Sequence, residues 1–285
     1  MLEDVKPEGI AIVREGHRTL FKWHRARKQA GDLPFTGERI VEGLRLGASV
    51  EVDLVRHADD GFAVLHDFAL DRDTTGTGRV RDTPAPAIRE LFLRDDAGAP
   101  THHRPMLLED LCALIAADPD ISPDSVLQLD LKETEAGLDA AVAAGFAAAV
   151  APVARHFILS GGSPGAIRLL SEAVPALPLG FDPCHEGSID RLAAHKDFQG
   201  FVAEAVAPFP RARMIYLDYR VVLFSSEHGF DLVGAFHAAG KTVDAYTLKL
   251  ADKATTAIAE RLLELQVDQI TTDDPVGLER ALRGG

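Results

Sequence analysis

The chain reads as an α/β protein, a (β/α)8 TIM barrel with a small hairpin extension after its second strand. Three observations carry this reading. Short apolar, β-branched runs alternate with stretches of helical periodicity from end to end, and 285 residues accommodate about eight such pairs. The main strands fall near residues 10, 50, 127, 157, 178, 214, 243 and 268. His17, Glu51, Asp53, Asp130, Lys132, Ser160 and Tyr246 lie at or just past the C-terminal halves of these runs. Barrels build their sites at that end, which favours a barrel over an open doubly wound sheet. No repeat or linker divides the chain, so residues 1–285 are expected to form a single domain.

The first strand is expected at residues 9–13, GIAIV, with the pair His17-Arg18 just past its end. Residues 22–28, KWHRARK, are the densest basic patch and follow as a loop on the catalytic face. Ile40, Val41 and Leu44 sit at helical spacing, and Gly47 closes that helix. In the second strand Glu51 and Asp53 are two residues apart, so both face one side and Val50, Val52 and Leu54 face the other. Asp59-Asp60-Gly61 is a turn signal, and residues 62–65 return as a second arm ending in His66-Asp67. Thr74 to Gly78 is a polar, glycine-punctuated loop.

A helix is expected over 107–117, with Glu109 and Asp110 in its early turns. The strand at 126–132 places Gln128, Asp130 and Lys132 on one face. Residues 136–154 are alanine-rich and helical. Strands at 156–160, 178–181, 213–217, 241–248 and 267–272 alternate with helices at 164–174, 189–207 in part, 231–239, 255–265 and 276–282.

The net charge of −14 argues against nucleic-acid binding and against an anionic membrane surface. No apolar run reaches the roughly 20 residues of a membrane span, so no stable membrane association is expected. Residues 1–9, MLEDVKPEG, lack a basic segment followed by an apolar one, which points to a cytoplasmic protein. The two cysteines, Cys112 and Cys184, form no CxxC pair and are expected to be reduced and structural. The sequence carries no signal for an oligomeric state. Paired carboxylates on a buried strand are costly unless a cation or hydrogen bonds hold them, and hard oxygen ligands suit Mg²⁺ or Ca²⁺. His102, His103, His185, His195, His228 and His237 show no zinc-like spacing and read as surface or core residues.

The pattern His66-Asp67, Leu70, Arg72, Thr74, Gly76-Thr77-Gly78, preceded by His17-Arg18 and Glu51-x-Asp53, resembles the glycerophosphodiester phosphodiesterase family. Pro105 to Asp110, Leu129 to Lys132, Val243 to Lys249 and Ile270 to Pro275 extend the resemblance over nearly the whole chain. It implies a (β/α)8 barrel that hydrolyses small-molecule phosphodiesters, releasing an alcohol and glycerol 3-phosphate, with one divalent cation, Mg²⁺ or Ca²⁺. It makes Glu51, Asp53 and Asp130 the metal ligands and His17 and His66 the acid/base pair. Arg18 and Lys132 then lie beside the phosphate. Four replacements stand out: Thr19 where the family has Gly, Asp130 where Glu is usual, Tyr246 where Trp is common and Lys249 where Asn is common. Tyr246, Arg25, Arg27 and Lys28 are therefore expected to shape the substrate pocket, the basic residues recruiting additional negative charge. Two other readings are a lyase that stops at a cyclic phosphate and a non-catalytic barrel that binds phosphorylated ligands.

Overall fold

A computed structural model describes residues 7–185 and 187–284. Most of the N-terminal stretch read for a leader signal, residues 1–6, lies outside the described residues. The strands are β1 (Ala11–Arg14), β2 (His17–Trp23), β3 (Ser49–Arg56), β4 (Phe62–Val64), β5 (Val126–Leu131), β6 (Phe157–Gly161), β7 (Gly180–Phe181), β8 (Met214–Asp218), β9 (Thr242–Leu248) and β10 (Gln269–Thr272). Eight of them form a parallel series, β6-β5-β3-β2-β10-β9-β8-β7. The Leu159 N–H donates to the Pro178 carbonyl at 3.0 Å, and Leu159 bridges Leu179 in parallel, which brings β6 back to β7. Helices separate the successive parallel strands, as a (β/α)8 barrel requires.

The expected first strand is not a barrel strand. Residues 11–14 form β1, an antiparallel arm paired with β2 from Ala11↔Leu20 to Arg14↔His17. Glu15 and Gly16, with φ of 48° and 85°, make the reversal. The barrel strand is β2, which pairs in parallel with β3 and β10. Two consecutive apolar runs, residues 9–13 and 19–23, lie antiparallel, and only the second is flanked by parallel partners.

Period-two alternation organises the barrel wall. Val50, Val52 and Leu54 on β3 and Leu127 and Leu129 on β5 are fully buried in the main core. The intervening residues point into the barrel, where the register sets Glu51 opposite Gln128 and Asp53 opposite Asp130, with Asp130 opposite Ser160. The helix Gly37–Arg45 lies over this wall at Gly43, where a Cβ would stand 2.7 Å from Val50 Cγ2 and 3.1 Å from the Trp23 ring. Gly43→Ala is expected to destabilise the protein by about 1–3 kcal/mol through overpacking, less the ~1 kcal/mol that alanine adds to helix propensity. Urea unfolding checks this, and an unchanged or raised midpoint would show that the helix moves aside at no net cost.

The extension after β3 begins as expected. The strand β4 pairs antiparallel with it from Leu54↔Val64 to Arg56↔Phe62. It is larger than a hairpin, because residues up to Leu107 continue from it over a second small core that includes Val55, Leu65, Leu70, Val80, Ile88 and Leu93. Both cysteines are free; Cys112 is buried and its thiol is pushed up to about 12. Among the described residues, no helix is long and apolar enough to cross a membrane.

Candidate active site

The inner face of β3 carries Glu51 and Asp53, and β5 sets Asp130 beside Asp53. One carboxylate oxygen from each of the three lies within 4.8 Å of the others. Glu51 is 4% exposed and Asp53 1%. Burial and the charges of Asp53 and Asp130 push the Glu51 carboxyl well above the usual range, with Lys132 and the Arg25 N–H pulling the other way. Asp53 is also desolvated, yet the cations Lys132 and Arg25 hold its carboxyl below the usual range. Lys132 Nζ is 2.7 Å from Asp53 Oδ1 and 2.5 Å from Asp130 Oδ2. Arg25 Nε is 3.3 Å from Asp53 Oδ2, and the Arg25 N–H donates to Glu51 Oε2 at 2.7 Å.

Neither buried oxygen of Asp53 accepts a well-directed hydrogen bond, despite these near charges. A desolvated carboxylate without a well-directed hydrogen bond, converging with two more carboxylates, is a hard all-oxygen donor set. These residues fit a divalent cation such as Mg²⁺ or Ca²⁺.

The cavity above the acids, about 310 Å³, has His24, Arg25, His66 and Lys132 in its walls. His66 Nδ1 lies 2.7 Å from Asp67 Oδ1, and Arg72 Nη2 holds the same oxygen at 2.9 Å. His24 Nδ1 lies 2.6 Å from Asp273 Oδ1. Burial raises the Asp273 carboxyl, but the His24 hydrogen bond and the charges of His24, Arg27 and Arg25 outweigh it and hold it low. A ring whose Nδ1 faces a carboxylate keeps its proton there and leaves Nε2 as the base. Just past β2, Arg25 and Ala26 take left-handed backbone (φ 53° and 59°), a conformation non-glycine residues adopt at a cost. That turn aims the Arg25 N–H at Glu51.

The structure does not bring His17 and Arg18 to this place. His17 is the first residue of β2, at the opposite end of the barrel, with Nε2 3.1 Å from the Val267 carbonyl and 3.9 Å from Asp268 Oδ1. At about 3.3 Å per strand residue, it stands on the order of 20 Å from His24. Arg18 is exposed where β2 meets the β1 arm. The His-Arg pair that follows the first barrel strand is His24-Arg25, within the basic stretch 22–28.

Of the expected pocket residues, Arg25 is at the centre. Arg27 lies to one side, Nη2 2.7 Å from Asp96 and Nη1 3.8 Å from Asp273. Lys28 leaves the site, its ammonium 2.6 Å from Glu42 Oε1 on the helix Gly37–Arg45. Tyr246 lines the cavity, and its hydroxyl donates to Asp182 Oδ2 at 2.8 Å. Burial and the Asp182 charge push that hydroxyl far above its usual range, so it stays a donor.

Several cavity residues escaped the sequence reading. Asp182 also holds His185, 2.9 Å from Nε2 to Oδ2, a histidine read as surface or core. The strand before them, β7, has two residues, too few to show a face. Lys22, expected in the basic loop on the catalytic face, is instead 2% exposed inside the barrel. It hydrogen-bonds Gln128 Oε1, lies 3.2 Å from Asp244 Oδ2 and sits 4.2 Å over the Tyr216 ring. Gln128 Nε2 donates to Ser160 Oγ at 2.8 Å, and Ser160 Oγ donates to Asp130 Oδ1 at 3.2 Å. This polar chain orients Asp130 from below.

Fold and site together define a class: a (β/α)8 barrel with three convergent carboxylates at its C-terminal face and, in the same cavity, two histidines tethered to carboxylates through Nδ1. The profile of the glycerophosphoryl diester phosphodiesterase family matches residues 38–276. The chain belongs to that family and is a phosphodiesterase, a hydrolase of phosphoric diesters. No curated protein matches it. Solved structures of similar fold include a glycerophosphodiester phosphodiesterase from Agrobacterium tumefaciens, 21% identical over 94% of this chain and 100% of that one, TM-score 0.63. A second, from Thermotoga maritima, is 19% identical over 94% and 99%, TM-score 0.62. A third is an Oleispira antarctica phosphodiesterase in complex with the product sn-glycerol-3-phosphate, 18% identical over 92% and 96%, TM-score 0.62.

Proposed function

We propose that this protein hydrolyses glycerophosphodiesters to glycerol 3-phosphate and an alcohol, with a divalent cation held by Glu51, Asp53 and Asp130. The observation that carries the reading is the buried Asp53 carboxylate, lacking directed donors, beside two further acids and below two histidines tethered through Nδ1. The product bound to the Oleispira antarctica phosphodiesterase supports the same substrate class. When bound, a divalent cation offsets phosphate charge and polarises phosphorus.

The protein's own groups supply the remainder. Arg25 and Lys132 line the cavity as fixed cations that can lean from Asp53 onto phosphate oxygens. His24 and His66 divide proton transfer, one accepting a proton from the attacking hydroxyl and the other protonating the leaving alkoxide. Asp273 and Asp67 are positioning residues that fix the ring tautomers. Tyr246, tied to Asp182, forms part of the wall toward the substrate.

The test is a panel of glycerophosphodiesters incubated with Mg²⁺, Ca²⁺ or chelator and followed by phosphorus NMR. Release of glycerol 3-phosphate only with added ion is expected. Absence of turnover of every diester with either ion would overturn the reading, and accumulation of a cyclic phosphate would convert it to a lyase.

A further inference from the structure

A second cavity, about 400 Å³, adjoins the active-site cavity and shares His24, Arg25 and Lys249 with it. Beyond that shared wall it is lined by Arg27, Arg72 and Arg94, with Pro34, Phe35 and Leu93 as apolar backing. Of the carboxylates that line it, Asp273, Asp73 and Asp96 each face a cation through one oxygen, and Asp95 is held by backbone amides. Asp273 Oδ1 faces His24 at 2.6 Å. Asp73 Oδ1 accepts from Arg72 at 2.9 Å and leaves Oδ2 buried without a donor. Asp96 pairs with Arg27 at 2.7 Å and is otherwise exposed. Asp95 Oδ1 accepts the Ala97 and Ala99 N–H groups at 3.0 and 2.8 Å.

Two cations lack such partners. Arg94 is held by carbonyls alone, its Nε donating to Thr74 at 2.7 Å and its Nη1 to Gly98 at 2.8 Å. That arrangement fixes the guanidinium plane without neutralising it. Lys249, exposed at the junction of the two cavities, has no hydrogen-bond or ion-pair partner among the described residues. In a protein of net charge −14, two cations without acidic partners, against the one carboxylate of Asp95 held only by amides, leave the recess beside the reacting centre locally anion-attracting.

We propose that this recess receives the alcohol part of the substrate and selects alcohols that carry a second anionic group, a phosphate monoester above all. The inference rests on the phosphodiesterase reading of the adjoining site. His24 lies in the shared wall, so a diester whose phosphate sits over the acids directs one substituent past the imidazole into the recess. There Arg94 offers a preset fork and Lys249 a mobile point charge for the second anion.

The experiment compares kcat/KM for glycerophosphoinositol 4-phosphate and glycerophosphoinositol, a pair that differs only in the second phosphate, with glycerophosphocholine as the cationic contrast. The wild type is expected to favour the 4-phosphate through KM, with the preference shrinking as salt screens the recess. Lys249→Gln is expected to cut that preference about fivefold, the Boltzmann factor of one unit-charge pair near 4 Å in water. Its kcat/KM for glycerophosphoinositol should fall less than that for the 4-phosphate, because only the latter carries the second anion. Arg94→Gln, checked for folding by circular dichroism, should act in the same direction.

Turnover of both inositol diesters with equal kcat/KM in the wild type would overturn the recess proposal and leave the phosphodiesterase reading intact. A preference that both variants retain would likewise overturn it. Turnover of none of the three diesters with added Mg²⁺ or Ca²⁺ would sink the phosphodiesterase reading and this inference with it.

Discussion

Replacing His24 with Ala is expected to lower kcat by about 10²–10⁴-fold, the contribution of a positioned proton-transfer group. His66→Ala should fall in the same range, whereas His17→Ala should leave kcat within a few-fold. The contrast follows from geometry. His24 and His66 share one cavity and are each fixed by a carboxylate at Nδ1, while His17 contacts the Val267 carbonyl at the far end of the barrel. Steady-state kinetics of the three variants on one diester checks the assignment. A loss confined to His17→Ala would overturn it. Asp273→Asn offers a finer measurement, because it keeps the shape of the His24 partner but lets the ring choose either tautomer. It should lower kcat with little change in KM.

Chelation is expected to have the second largest effect. EDTA should abolish turnover, and adding Mg²⁺ or Ca²⁺ to the chelated protein should raise Tm. An ion at 100 times its Kd stabilises the folded state by about 2.7 kcal/mol. For a chain of 285 residues that corresponds to several degrees, at about 2 °C per kcal/mol. Asp53→Asn should remove most of that ion-dependent rise, because it replaces the carboxylate whose two oxygens lack directed donors. Differential scanning calorimetry with and without each ion decides the point independently of catalysis. An equal rise in wild type and Asp53→Asn would place the ion elsewhere.

The acid cluster was legible because it depends on period two. Glu51 and Asp53 share a face by spacing alone, and the run Val126 to Lys132 shows the same alternation, so the register needed only to align two strands. His66 was legible because the Asp-Gly turn and the short return strand fix where it emerges. The first strand was not. Residues 9–13 and 19–23 are both apolar, and a lysine interrupts the true barrel strand. Lys22 looks like surface until Gln128 and Asp244, more than 100 residues away in sequence, supply its partners. That long-range compensation is invisible locally, and it shifted the His-Arg assignment by one strand length. A usable signal was present: Phe21 and Trp23 alternate with Lys22 and run directly into His24-Arg25. Asp182 and His185 follow a strand of two residues, and no pattern can be read from so short a run.

The second small core bears on how new specificities arise in this architecture. Leu65, Leu70, Val80, Ile88 and Leu93 pack among themselves beneath the segment that presents His66, Arg72 and Arg94. The segment leaves and rejoins the wall beside the acids, bridging Ala63 to Leu107. It therefore has the properties of a portable cassette: a transplant between related barrels would carry one histidine and part of the recess together, while the carboxylates stay with the recipient. Grafting residues 57–106 from this chain should transfer substrate preference without transferring ion affinity.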